Sequence, residues 1–442
     1  MDLKERLTSL DVLRGLTIAG MIVVNDPGSW SYVYPPLRHA PWHGITPTDF
    51  VFPFFLFIVG VSIVLSYSKR RQQAADTGPL IRKTLVRTAM IFGMGLFLAV
   101  PAATVGYKIA HIVVGIVLLY GLSEIQIAPS QRRRLMLGTV MFAVTTLFLV
   151  LNPNLALDAF RWPGVLQRIA IVFLVCAFLF LYTSRRTQII TGVVLLVGYW
   201  LMMVLLPVPA DAVVQAALAS GEVMRASGPV AVEGLRALSE TSIAANLEPG
   251  TNLAAWIDRV FTPGRIYEKT WDPEGLLSTL PAIGSGIAGM VAGHIILQTA
   301  SKEQTALRLF VYGFCLLVVG SVWNWFFPFN KNLWTSSFVL YTSSLITLTF
   351  AALFWYVDLH KKGKNQPLFY MGRVFGANAI AAYALHSLFA RILTPVRDGF
   401  MDTLMGQGVA GEPASLLWAL LYTLFIFLIA WVMYRQKLFL RL

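Results

Sequence analysis

The chain has 442 residues, 57% of them apolar and only 13% charged, with a mean hydropathy of +0.67. A water-soluble fold of this length does not carry that balance, so the chain reads as an integral membrane protein. The net charge of +13 does not point to nucleic acid: Lys and Arg gather in alternate short loops (SKRRQQ, LIRKTLVR, QRRRL, SRRTQ, HKKGKN and YRQKLFLRL), as they do where basic residues hold loops in the cytoplasm.

Met1 to Arg6 runs straight into a helix containing Asp11 and Arg14, with no small-residue cleavage site, so no removable signal peptide is expected. Apolar runs then predict spans near 7–25, 49–67, 84–102, 108–124, 135–152, 164–182, 188–207, 275–298, 305–327, 334–356, 374–394 and 414–434. The fold class is therefore all-α, a polytopic transmembrane bundle of about 10–12 spans with both termini cytoplasmic. The stretch 84–124 contains VPAATVGYK and is compatible with a hairpin, a re-entrant pair or two full spans. Two segments lie on the far side: about 26–48, and about 208–274. The second is expected as a small cap of short helices and loops, too short and too poor in bulky apolar residues to be independent, so that 1–442 form one domain. Cys176 and Cys315 sit inside apolar runs and read as packing residues.

The densest chemistry lies in PPLRHAPWHGITPTDF. Thr46, Pro47 and Asp49 have the order of a helix start, with Asp49 placed to reach back as in a capping box. Asp49 then either begins the second span or orients an imidazole, and the residues leave both readings open. His39 and His43 are four apart, but Pro41 and Gly44 break any helix between them and no third ligand is evident, so a metal site is not expected. Each histidine is either a general base or a packed interfacial residue. Trp30, Tyr34 and Trp42 suit stacking on a sugar face, though aromatics gather at membrane interfaces in any case.

Polar residues also collect on the far side along the rest of the chain. Asn25 ends the first span, Arg161, Gln167 and Arg168 open the sixth, Asp272 and Glu274 open the eighth, Asn330, Asn332 and Trp334 flank the tenth, and His386 lies within the eleventh. Ionisable groups in spans normally face a cavity, and one shared outer chamber accounts for them together. At the inner level, Asp11 and Arg14 form an i,i+3 pair, with Arg87, Lys361, Lys362, Lys364 and Arg373 nearby; these report orientation, or form a basic mouth for a phosphorylated ligand. The residues alone also admit a secondary carrier, against which stand the missing pseudo-repeat and the one-sided polar set.

RLTSLDVLRGLTIAGMIVVN, RHAPWHGITPTDFVFPFFLFIVGVS, RWPGVLQRIAI, WDPEGLLSTLPAIGSGIAGMVAG, NKNLWTSSFVLYT and GANAIAAYALHSLF together resemble the heparan-α-glucosaminide N-acetyltransferase family and its bacterial inner-membrane relatives, over about residues 6–395. The resemblance implies a transmembrane acyltransferase-like fold, a homodimer in the lipid bilayer of a bacterial inner membrane, and transfer of acetyl from cytosolic acetyl-CoA to an amino sugar of glucosamine type across it, with no metal and no nucleic acid. It implies His39 as the active histidine, with Asn25 and Asp49 in catalytic roles. His43, Trp42, Arg168, Asp272, Glu274, Asn332, Trp334 and His386 are expected to bind substrate, and Arg14, Arg87, Arg373 and Asn378 to bind the donor. Against the lysosomal enzyme, the sequence is expected to be without the large lumenal N-terminal domain and to carry an extra apolar hairpin around 108–152.

Overall fold

The computed structural model describes residues 7–73, 77–101, 104–127, 130–152, 160–299, 301–363 and 366–440. In chain order its helices are α1 (Thr8–Asn25), α2 (Val51–Gln73), α3 (Gly78–Ala99), α4 (Val105–Ile127), α5 (Gln131–Val150), α6 (Val165–Tyr182), α7 (Arg185–Leu205), α8 (Ala212–Ser220), α9 (Leu253–Phe261), α10 (Thr279–Gln298), α11 (Lys302–Trp323), α12 (Ser336–Leu353), α13 (Pro367–Ala377), α14 (Ala379–Ile392), α15 (Thr394–Gly406) and α16 (Gly411–Arg435). All twelve expected spans fall on helix. Among the described residues nine helices are long and apolar enough to cross a membrane, and the pair α14 and α15, bent by 67°, makes ten at most. The fold is thus an all-α, multi-pass membrane bundle. The count falls below twelve because α3 carries Arg82, Lys83 and Arg87 and α5 opens on basic residues. The 84–124 stretch resolves into two long helices, α3 and α4.

The eleventh expected span is not one helix. At Asn378 the backbone leaves helical geometry (φ −128°, ψ 41°), and its side chain turns to the C-terminal segment, donating to Leu438 O at 2.9 Å and accepting from Leu440 N at 2.9 Å. The break is held by this long-range side-chain pairing, while Asn378 N still bonds Phe375 O at 3.1 Å.

Burial sorts the helices. The apolar window of α10 is 78% buried and that of α1 67%, whereas α7, α11 and α16 stand at 28% and turn most of their side chains outward, as lipid-facing helices do. Two inner seams are backbone against backbone. A Cβ on Gly60 of α2 would lie inside Gly286 O of α10, and one on Gly15 of α1 inside Gly372 O of α13; small residues give such close approach in a membrane, where dispersion replaces the hydrophobic effect between helices. The α2–α10 seam also fixes the start of α2 relative to the segment that leads into α10, and both carry site residues.

The 208–274 segment departs from the expectation of helices and loops. Besides α8 and α9 it contains β1 (Val208–Pro209), β2 (Glu222–Arg225), β3 (Gly228–Ala231), β4 (Ala237–Ser239) and β5 (Ser242–Ile243), in a β1-β5-β4 sheet and a β2-β3 hairpin, all antiparallel. Helical patterning in DAVVQAALASGEVMRA stops at Ser220 because Gly221 takes a left-handed conformation (φ 73°), the usual helix terminator. Strands of two to four residues carry too few positions for an alternating pattern to be read.

Candidate functional site

The 35–50 segment folds onto the end of the bundle covered by the cap. Gly44, at φ +106°, turns the chain so that its N–H donates to Phe329 O at 2.8 Å; this is the left-handed region that a side chain resists. Trp42 donates through Nε1 to Leu247 O of the cap at 2.8 Å and packs edge-on against Trp271, ring centroids 5.3 Å apart. Helix α2 then starts through a short turn, Pro47–Phe50.

Both readings of Asp49 hold, on different oxygens. Oδ2 accepts from Thr46 N at 3.0 Å and Ala40 N at 3.2 Å, which is the capping bond. Oδ1 lies 2.7 Å from His39 Nδ1. A carboxylate oxygen only accepts, so Nδ1 carries the hydrogen and Nε2 keeps the lone pair. The Asp49 side chain is fully buried while that of His39 keeps 39% of its surface: a hidden carboxylate steering an accessible base.

Sequence reasoning named Asn330, Asn332 and Trp334 but passed over the residue between them that touches the base. Lys331 Nζ lies 3.0 Å from both ring nitrogens of His39 and 3.9 Å from Asp49 Oδ1. Equal distances to both nitrogens place Nζ over the ring face, off the in-plane lone pair of Nε2. The available signal was its place: a lone cation in a short loop on the side that the positive-inside rule leaves poor in basic residues. Burial, the largest influence, outweighs the Asp49 hydrogen bond and acts with the Lys331 charge, so the His39 pKa lies below the ordinary histidine value. Burial likewise lowers the Lys331 pKa, against the pull of Asp49 and Glu274.

Beside this group stands an ion cluster. Arg161 donates to Asp272 through Nε at 3.0 Å and Nη2 at 2.6 Å, and to Glu274, with its guanidinium over the Tyr267 ring. Arg168 is 1% exposed. Its Nη2 bonds Gly275 O at 3.0 Å and Ser278 Oγ at 2.5 Å, its guanidinium lies 5.1 Å from the Trp334 ring centre, and its Nε and Nη1 have no hydrogen-bond partner among the described residues. Asp258 of α9 accepts from Leu276 N at 2.8 Å, and burial lifts its pKa to about 7. Glu274 is within electrostatic reach of both His39 and Lys331, which joins the cluster to the histidine.

The other expected residues scatter. His43 Nδ1 is 3.4 Å from Asn330 Nδ2, beside the dyad, and Asn332 is half-buried in the same turn as Lys331. Trp334 is fully buried between Phe52, Phe338 and Arg168; it offers no ring face to a ligand and acts as packing. Asn25 is exposed at the end of α1 and lines a small pocket with Asp26, Trp30, Arg397, Trp418 and Tyr422. His386 bonds Asp26 through Nδ1 at 2.9 Å, making a second histidine–aspartate pair that sequence reasoning missed because Asp26 lies 360 positions away.

A larger cavity of about 390 Å³ runs between α1, α2, α3, α6, α13 and α14. Arg14, Lys83 and Arg87 line it, with Ser62, Phe173 and Tyr383. Arg14 donates to Ser62 Oγ at 3.0 Å and pairs with Asp11 at 3.4 Å, the i,i+3 contact expected. Tyr383 lines it on the α14 side, and none of His39, Asp49, Arg161, Asp272, Glu274 or Lys331 is among its lining residues. Arg373 is not among the lining residues and lies over Tyr370; Asn378 secures the C-terminal segment, whose Leu440 does line the cavity. Lys361 and Lys362 are outside the lining too, and Lys364 lies outside the described residues.

Residues 6–219 match the family described as heparan-alpha-glucosaminide N-acetyltransferase, catalytic. Curated relatives include heparan-alpha-glucosaminide N-acetyltransferase of Homo sapiens, 26% identical over 99% of this chain and 60% of that protein, and the protein of the same name from Mus musculus, 25% identical over 98% and 60%. The chain therefore spans about 60% of the length of the curated relatives it matches. The matched segment contains Asn25, His39, Asp49, Arg161 and Arg168, and ends before Asp272, Glu274 and Lys331. In residues 6–219 the chain is thus similar to the catalytic region of the heparan-alpha-glucosaminide N-acetyltransferases, in line with the resemblance carried by the sequence motifs.

Proposed function

We propose that the protein transfers an acetyl group from acetyl-CoA to the amine of a glucosamine-type sugar on the other side of a bacterial inner membrane, working as a homodimer with both termini in the cytoplasm. The observation that carries this reading is the His39–Asp49 dyad at one end of the bundle; a cavity lined by Arg14, Lys83 and Arg87 supports a donor site at the basic level. The three cations suit the phosphates of CoA, and the apolar walls suit its pantetheine arm. Threading that arm through the protein brings the thioester to the acceptor without taking the charged nucleotide across lipid.

At the dyad, Nε2 of His39 takes a proton from the attacking amine while Asp49 holds the ring and supports the imidazolium that forms. Asn25, given a catalytic role by the resemblance, is the candidate oxyanion donor, a role worth ~3 kcal/mol; it lines the pocket with Asp26 and Trp30, so the role requires the thioester to reach that pocket. Glu274 supplies the charged wall for the sugar, with the fully buried Arg168 bracing the Gly275–Ser278 turn behind it. The test is acetyl transfer by purified protein from radiolabelled acetyl-CoA to glucosamine, comparing wild type with His39→Ala. Labelled N-acetylglucosamine that vanishes in the variant supports the reading. Undiminished turnover, or sugar uptake into proteoliposomes without acetylation, sinks it.

A further inference from the structure

The base of the candidate site already has an amine on it. Lys331 Nζ sits 3.0 Å from both ring nitrogens of His39, against the face of the imidazole and a small ring rotation from Nε2, the nitrogen left with a lone pair once Asp49 holds Nδ1. The lysine is held there by a built turn: Trp334 N bonds Lys331 O at 3.2 Å, Leu333 N bonds Asn330 Oδ1 at 2.9 Å, Asn330 N bonds Thr335 Oγ1 at 3.1 Å, and Trp334 takes a left-handed backbone (φ 53°) with its ring fully buried. The Lys331 side chain is only 20% exposed, so the position of Nζ is dictated by the fold and not by solvent.

From this geometry we infer that Lys331 is an internal acceptor: it holds the place of the sugar amine on His39, and in the absence of sugar its Nζ is itself acetylated by acetyl-CoA. The inference rests on the acetyl-transfer reading. In the step, the neutral Nζ attacks the thioester carbonyl, the new N–C bond forms and the C–S bond breaks. The proton lost from nitrogen passes to His39 Nε2 and then to the departing CoA thiolate, leaving N-acetyl-lysine and free CoA. A primary amine must be uncharged to attack, and the burial that disfavours the Lys331 ammonium raises that fraction. Acetylation removes a cation facing Asp49 and Glu274 and leaves an amide across His39, so the modified protein is blocked for the sugar.

The full chain in detergent is incubated with deuterated acetyl-CoA, with and without glucosamine, and read by peptide mass spectrometry alongside sugar turnover. The expected result is heavy acetyl on Lys331 without sugar, formed roughly 100-fold faster than on exposed Lys437, the low end of general-base assistance. Glucosamine suppresses the label, the loss of later sugar turnover tracks its stoichiometry, and His39→Gln abolishes it. Sugar acetylation with Lys331 unmodified overturns the inference and leaves the acetyl-transfer reading standing. Absence of both products overturns both. Label on Lys331 without sugar turnover upholds the internal acceptor and rejects glucosamine as the external one. Lys331→Arg, which keeps the charge, must lose the label at this peptide; heavy acetyl at another lysine beside His39 in that variant would also count against the assignment.

Discussion

Replacing Asp49 by Asn tests the dyad most sharply, because the structure dictates how the amide must sit. Oδ2 accepts two backbone N–H groups, from Thr46 and Ala40, so the amide oxygen takes that position and the NH2 faces His39. An NH2 donor 2.7 Å from Nδ1 forces the other tautomer: Nδ1 becomes the acceptor and Nε2 carries the hydrogen. The lone pair then points away from the attacking amine while the cap at the start of α2 survives. The same carboxylate-to-amide change in a Ser-His-Asp triad costs about 10⁴ in kcat, so a loss of roughly 10³- to 10⁴-fold is expected, about 4–5.5 kcal/mol of transition-state stabilisation. Single-turnover transfer from labelled acetyl-CoA to glucosamine, with donor binding measured in parallel, reads it directly. An Asp49→Asn variant that binds donor normally and keeps more than about a tenth of the rate, one decade being ~1.4 kcal/mol, refutes the tautomer argument.

Asp49→Ala removes the cap as well, and should lower the melting temperature beyond Asp49→Asn by the equivalent of ~1 kcal/mol, measured by thermal unfolding in detergent. The acid limb of kcat/KM should have its midpoint below the ordinary histidine value: His39 must be neutral to act, and burial with Lys331 outweighs Asp49 in favouring that form; a midpoint above ~6.5 contradicts this. Arg87→Ala and Arg14→Ala should raise KM for acetyl-CoA by about tenfold or more each, as for a lost charged hydrogen bond, and leave KM for the sugar unchanged; a shift in the sugar KM alone would move the donor out of the cavity. Gly60→Leu should fail to yield folded protein, since its side chain meets Gly286 O at the α2–α10 seam; a well-behaved variant on size exclusion would disprove so close a seam.

What the sequence makes legible follows the distance over which each feature is determined. The capping box at Thr46 and Asp49 is local and reads directly, as do the long apolar helices. The carboxylate's second duty needs only a histidine ten positions away, and the family motif supplied it. Lys331 is harder to read by the same logic: its partner lies 292 positions off, and the one cue in NKNLW, a cation on the side poor in basic residues, does not say which residue it reaches. Trp334 is expected to bind substrate from its place beside Asn330 and Asn332 and from the resemblance, and burial decides otherwise. The break at Asn378 depends on contacts 60 positions later, while the cap strands are too short to carry a period.

The segment Leu438–Leu440 hangs from the Asn378 amide and gives Leu440 to the wall of the large cavity. Whatever enters that chamber therefore leans on the tail, and whatever tugs on the tail reshapes the chamber. A purification handle fused behind it is not an innocent bystander, and a reporter dye at Lys437 would register occupancy from outside.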